Sequence, residues 1–279
     1  MITRISARVL LILMISLFVS GVYGCKKEVG VEWVVDYSAV GKPTVLCRKD
    51  CAEGFYNTMR AHPHWQGNFH PGNADAWEKH FKRKSKGGTD YDWIDAVDIA
   101  YFAGHGAGAG TKPTGVGTGG GFTFGVDAND DWVLAAPLFN CEPRWGDKDL
   151  EWIVLDVCSA LALKSDGAGY PLSKRWMNSD VMHGLHYIFG FRTSAHDSCY
   201  RGKIFAEYLT GARGEKGIEC TFRDAWRNAT RDTEEFGIRG AYVRARSTGS
   251  DTYNDGISGW SDDPNPASQS YVYKSWPCD

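Results

Sequence analysis

Two apolar runs decide how this chain is read: Val97-Asp98-Ile99-Ala100-Tyr101-Phe102-Ala103-Gly104-His105-Gly106 and Trp152-Ile153-Val154-Leu155-Asp156-Val157-Cys158-Ser159. Each is rich in Val, Ile, Leu or aromatic residues and closes on a Gly or a small polar residue, which is how a strand of a buried parallel sheet is written in sequence. In open α/β sheets the reactive groups gather just beyond the carboxyl ends of the strands. Two neighbouring parallel strands with these endings would therefore bring the His105 imidazole and the Cys158 thiol together without any proximity in sequence. A thiol, with an ordinary pKa of about 8.5, attacks a carbonyl only as thiolate, and an imidazole is the group that takes its proton. Of the eight His, only His105 ends a strong apolar strand in a Gly-rich setting. The bland alternative is a His satisfied at a strand end by a backbone carbonyl.

The pattern continues past Cys158. A helical stretch runs through Pro171-Leu172-Ser173-Lys174-Arg175-Trp176, and a third apolar run, Leu185 to Phe191, leads to Ser194-Ala195-His196-Asp197-Ser198. Two amphipathic stretches follow, Ile204 to Leu209 and Phe222 to Arg227. His-Gly after one strand and Cys after the next, in this order and roughly fifty residues apart, resembles the caspase–hemoglobinase fold of cysteine peptidases, closest in pattern to its metacaspase, CHAT and gingipain-like members. The resemblance covers residues 95–232. It implies a three-layer α/β/α sandwich with a mostly parallel central sheet, stabilised here by disulfides, and an endopeptidase that uses His105 and Cys158. It also implies an oxyanion hole made by the N–H groups of Gly106 and Cys158. Asp156, two before the Cys, resembles the metacaspase Asp-x-Cys, whose Asp lines a pocket for Arg or Lys, and Asp197 matches a second acidic position of that pocket. Two buried carboxylates with no cation nearby in sequence would be costly, and a substrate guanidinium or ammonium would relieve the cost. The alternative for both is a strand-end or helix-cap role, with side chains bonded to backbone N–H groups. Ser159-Ala160 stands where metacaspases carry His-Ser-Gly.

Outside this core, residues 1–24 read as an export signal: Arg4 and Arg8 precede an apolar stretch from Val9 to Val19 that is too short to span a bilayer. Cys25 followed by Lys26-Lys27 fits a lipoprotein cleavage site, although Tyr23 departs from the small residue that site prefers. Simple secretion and a lipid anchor on Cys25 are both open, and either makes the chain exported. Eight Cys in an exported chain are expected to pair. With Cys25 set aside as a lipid carrier and Cys158 as a free thiol, Cys47, Cys51, Cys141, Cys199, Cys220 and Cys278 suffice for three disulfides. The alternative pairs all eight, Cys158 included.

The mature part, roughly 255 residues, is long enough for one sizeable α/β core. We divide it into an N-terminal part with Cys- and His-bearing loops (25–94), a catalytic core (95–246) and a polar C-terminal extension (247–279) tied to the core by its penultimate Cys. Net charge is −3, with 31 Lys and Arg against 34 Asp and Glu, and the one basic cluster, Lys82 to Lys86, is short. That balance gives no reason to expect a nucleic-acid partner. The expected partner is a peptide or protein substrate, with membrane contact only through a lipid on Cys25. Helices are expected over Asp50–Arg60, capped by Asp50, and over Ala74–Lys82.

No cofactor is required by this chemistry and no metal is expected at the site. A zinc site of Cys47 and Cys51 with His62, His64 and His70 is less plausible than a disulfide. The segment from Asp127 to Trp145 offers oxygen ligands for Ca²⁺ but no twelve-residue Ca²⁺ loop. Nine Gly lie between Gly104 and Gly121. No Gly-Lys-Ser/Thr follows them, so this stretch reads as a loop placed to close over substrate rather than a phosphate cradle. The competing function is a catalytically inactive member of the same fold, with Cys158 paired and a Trp-lined groove for peptide or carbohydrate.

Overall fold

The computed structural model describes residues 26–107, 121–125, 132–133, 135–136, 140–168, 170–215 and 217–279. The expected export signal, most of the Gly-rich loop and the first part of the Asp127 to Trp145 segment lie outside the described residues. Twelve strands are described: β1 (Lys27–Trp33), β2 (Trp65–Gly67), β3 (Ile99–Ala103), β4 (His105–Ala107), β5 (Gly121–Thr123), β6 (Trp132–Val133), β7 (Ala135–Ala136), β8 (Asn140–Cys141), β9 (Trp152–Asp156), β10 (Tyr187–Phe191), β11 (Arg239–Arg246) and β12 (Ser270–Pro277). The helices are α1 (Arg48–Arg60), α2 (Leu172–Arg175), α3 (Arg201–Leu209) and α4 (Phe222–Thr233). Seven strands form one sheet in the order β12-β11-β10-β9-β3-β1-β2. From β2 to β10 the neighbours are parallel, and β11 and β12 are antiparallel. The fold is thus mixed α/β around a mostly parallel sheet.

The central strands β3, β9 and β10 read as almost unbroken apolar runs because both faces of the sheet are buried there. Along β3, Ile99, Tyr101 and Ala103 face one core while Ala100 and Phe102 face the other, and along β9 Trp152 and Val154 oppose Ile153 and Leu155. One face is covered by α1, α3 and α4, which turn Phe55, Met59, Phe205, Leu209, Ala225 and Trp226 inward at helical spacing. The other is covered mainly by short helical turns, loops and aromatic staples. Trp145 stacks on Trp176 with ring centroids 5.6 Å apart. Their indole N–H groups donate to the carbonyls of Phe81 and Ala160, so each Trp fastens a loop as well as filling the core.

Three local expectations are corrected. Helix α1 begins at Arg48, two residues early, with Cys47 at its N-cap, and Asp50 sits in the first turn, where its charge favours the helix dipole. Ala74–Lys82 is not a helix but a pair of 3₁₀ turns, Asn73–Asp75 and Glu78–Phe81. Asn73 has φ 52° and its side chain accepts the amides of Val35 and Asp36, so this segment is docked on the end of β1. The three-disulfide framework is also replaced. Cys47 pairs with Cys199, whereas Cys51, Cys158, Cys220 and Cys278 are free thiols, and the side chain of Cys141 lies outside the described ones. The C-terminal extension is held by β12, paired with β11 from Arg239↔Pro277 to Arg246↔Ser270. Cys278 follows that strand as a buried free thiol. Among the described residues no helix is long and apolar enough to cross a membrane.

Candidate active site

Strands β3 and β9 are adjacent and parallel, in a register that ends with Ala103 opposite Asp156. Two residues further along each chain lie His105 and Cys158, so the register that aligns the strands also aligns the imidazole-bearing and thiol-bearing residues at their carboxyl ends. The site is thus at the edge of the sheet where the order turns from β2-β1 to β3-β9, the usual ligand-binding edge of open α/β sheets. Both side chains are partly buried. Gly106 packs directly on the Cys158 backbone: a Cβ at Gly106 would lie 1.8 Å from the Cys158 carbonyl oxygen and 3.1 Å from its nitrogen. The chain after the thiol turns sharply, Ser159 adopting φ 57° and donating its N–H to the Thr193 carbonyl at 2.8 Å. A left-handed non-Gly residue costs on the order of 1 kcal/mol, and here that residue forms the turn that directly follows the thiol. The free Cys158 thiol lies 3.5 Å from the Ala195 carbonyl and accepts the Ala195 amide at 3.3 Å.

His105 is held from the β1 side. Its backbone N–H donates to the Tyr37 hydroxyl at 2.7 Å, and that hydroxyl donates to the Thr123 carbonyl at 3.0 Å. The Tyr37 ring meets the imidazole edge-on, with centroids 4.7 Å apart. Nε2 lies 2.8 Å from the Pro43 carbonyl, and since a carbonyl only accepts, Nε2 carries the proton and Nδ1 of the neutral ring is left with its lone pair. Burial pushes the His105 pKa below its ordinary value, the Pro43 hydrogen bond works in the opposite direction, and Lys42 and Arg48 add to the depression.

Beneath this edge lies a charged cluster that the sequence reading did not anticipate. Asp156 is fully buried and does not line a cleft. Its Oδ1 meets Arg201 at 2.5 Å and Arg48 at 3.2 Å, while Oδ2 accepts from the Tyr101 hydroxyl at 2.7 Å and the Cys51 thiol at 3.2 Å. Burial alone would push the Asp156 carboxyl up, but the two guanidinium groups and the two hydrogen bonds outweigh it and hold it below its ordinary value. The cation this carboxylate needs therefore comes from the chain itself, on α1 and α3. Asp197 is placed differently: its side chain is 31% exposed, pairs with Arg48 Nε at 3.1 Å and accepts the Cys47 amide. Glu234 closes the cluster by pairing with Arg201 and with the His196 imidazole. The Cys51 thiol, pushed up to about 12 by burial and then by Asp156, is an inert packing group. A hint of the cluster was present in sequence, since Arg48 follows Cys47 directly and Arg201 lies two after Cys199, the two halves of the disulfide.

A family model described as a domain of unknown function (DUF6345) matches residues 31–276, which takes in every residue of this site. The chain belongs to the DUF6345 family. No curated protein and no solved structure matches it. The matched span runs from within β1 to within β12, so the DUF6345 domain comprises essentially the whole seven-stranded sheet. In this DUF6345 chain the Gly106 contact is directly testable. Gly106→Ala is expected to destabilise the fold by about 1–3 kcal/mol, because backbone rather than a flexible side chain opposes the new methyl. Urea unfolding measures this, and an unchanged midpoint would mean that the two strand ends are not in close contact.

Proposed function

We propose that this protein is a cysteine peptidase, with Cys158 as nucleophile and His105 as base. The observation that carries the reading is the register of β3 and β9, which sets His105-Gly106 against Cys158 at one sheet edge. The neutral imidazole, anchored through Nε2–H to Pro43, has Nδ1 available to take the thiol proton. The thiolate then attacks the scissile carbonyl, forming a C–S bond while the carbonyl π electrons move onto oxygen. The N–H groups of Gly106 and Cys158 are the donors for that oxyanion, each worth about 3 kcal/mol of transition-state stabilisation. Collapse breaks the C–N bond as His105 returns its proton to the leaving amine. Water, deprotonated by His105, then releases the acid and restores the thiol.

The same reading takes the sheet and its covering layers as the three-layer α/β/α sandwich of the caspase–hemoglobinase fold. It takes the chain as exported, with or without a lipid on Cys25. The Cys47–Cys199 bond supports export, because disulfides persist in oxidising compartments. Cleavage after Arg or Lys finds no support from Asp156, which is sealed from substrate by its own arginines. Asp197 alone of that pair is at the surface, and Arg48 already neutralises much of its charge. A quenched-fluorescence peptide library, incubated with the wild-type protein and with His105→Ala, tests the assignment: hydrolysis by the first and none by the second is expected, whereas no hydrolysis of any peptide by the wild type would favour the inactive alternative.

The pH dependence follows from the His105 environment. The base must be neutral, and burial holds its pKa below 6.5, so the protonation that stops catalysis sets in only below that pH. The acid limb of kcat/KM is expected below pH 6.5. A limb above pH 7 would mean that the ring is stabilised as imidazolium rather than as the neutral base.

A further inference from the structure

At the opposite edge of the sheet, where β3 and β9 begin, three carboxylates converge. Asp98 immediately precedes β3, Glu151 immediately precedes β9, and Asp149 lies in the turn before it. One carboxylate oxygen from each lies within 4.8 Å of the others. Two ligands on opposite sides of a Ca²⁺ ion, at bonds of about 2.4 Å, are separated by that distance. The carboxylates are built in rather than dangling: Asp98 is 2% exposed and Glu151 8% exposed, and the Glu151 amide donates to the Asp98 carbonyl at 3.0 Å. Asp98 Oδ2 accepts the Glu28 amide at 2.6 Å.

The charges do not balance. Lys27 is the cation that meets this group, at 2.7 Å from Asp98 Oδ1, and its ammonium also rests on the Trp260 ring, 4.1 Å from the centroid. With all three carboxyls ionised, as ligands to a cation would be, one ammonium leaves the cluster about two charges short. Glu151 Oε2 is buried with no hydrogen-bond partner among the described residues, a costly arrangement for an acceptor this deep. Asp149 is exposed, which leaves a path from solvent.

We propose that Asp98, Asp149 and Glu151 bind a Ca²⁺ ion that clamps the starts of β3 and β9 and, through the Glu28 amide held by Asp98, that of β1. The donor set is all oxygen, which suits a hard cation, and the spread of the oxygens suits Ca²⁺ better than Mg²⁺, whose bonds of about 2.0–2.1 Å need a tighter octahedral set. The site is at the far edge from Cys158, so it bears on stability and does not depend on the peptidase reading.

The test uses the full mature chain freed of metal with EDTA and dialysed. Addition of millimolar CaCl₂ is expected to raise Tm by roughly 5 °C, with MgCl₂ giving a smaller rise, and calorimetric titration with CaCl₂ should show one site. Asp149→Asn, at an exposed position, should leave the metal-free Tm unchanged or slightly raised, since it relieves repulsion among the carboxylates, and should abolish the rise on adding Ca²⁺. Lys27→Met should tighten Ca²⁺ binding several-fold by removing the competing cation. Absence of both heat and Tm change in the wild type would overturn the proposal and leave Lys27 as the counter-ion of the cluster among the described residues. A Tm rise that persists undiminished in Asp149→Asn would also overturn it, by placing the ion elsewhere.

Discussion

Asp156→Ala is expected to destabilise the protein by about 3–5 kcal/mol, the usual cost of removing one partner from a buried ion pair and leaving the other uncompensated. Two guanidinium groups share this carboxylate, both essentially buried, and the Tyr101 hydroxyl and Cys51 thiol lose their acceptor with it. Asp197 and Glu234 would still hold one arginine each, so the loss is large rather than total. For a domain of this size it corresponds to a fall in Tm of about 10 °C. Asp156→Asn keeps the shape but not the charge and should lose most of the same stability. The folded-state pKa of Asp156 is depressed, so its contribution is fully present above the unfolded value of 3.8 and is lost as pH falls through the folded value. Wild type and Asp156→Asn should therefore converge in stability below pH 3.8. Urea unfolding at neutral pH decides the matter, and a loss under 1 kcal/mol would mean that the cluster is not the buried anchor described above.

Cys158→Ala has the opposite signature. Hydrolysis should fall by roughly four to six orders of magnitude, the range for removing a nucleophile that acts as a unit with its base. Tm should move by less than about 2 °C, because among the described residues the partly exposed thiol meets only the Ala195 backbone in hydrogen bonding. Cys220→Ala, at another partly exposed free thiol, should leave activity unchanged. Paired measurements of turnover and Tm separate the two thiols, and residual activity in Cys158→Ala within tenfold of wild type would assign the chemistry to another group.

Much of this edge of the sheet was legible in the sequence. Apolar runs bounded by Gly and small residues are forced on strands buried on both faces, so β3, β9 and β10 could be placed, and His105 and Cys158 fall at equivalent positions after the first two. What the sequence hid was the partner of each buried charge. Asp156 looked like a carboxylate waiting for a substrate cation because Arg48 and Arg201 lie 108 and 45 residues away along the chain, and pairing over such distances is written in three dimensions only. Cysteine parity misled for a similar reason. Cys51 and Cys278 behave as small buried side chains, and an even count says nothing about which sulfurs can meet. The Asn73 dock explains the missing helix, since a side chain satisfying two β1-end amides fixes a turn that amphipathic spacing alone does not reveal.

Activation of Cys158 by His105 is tested most directly by the rate of alkylation of that thiol. Iodoacetamide labelling of the native protein at pH 7, followed by mass spectrometry of the Cys158 and Cys220 peptides, gives both rates in one sample. Cys158 is expected to react at least tenfold faster than Cys220, and His105→Ala should slow Cys158 by a similar factor while leaving Cys220 unchanged. Equal rates at the two thiols, or a Cys158 rate indifferent to His105→Ala, would contradict it.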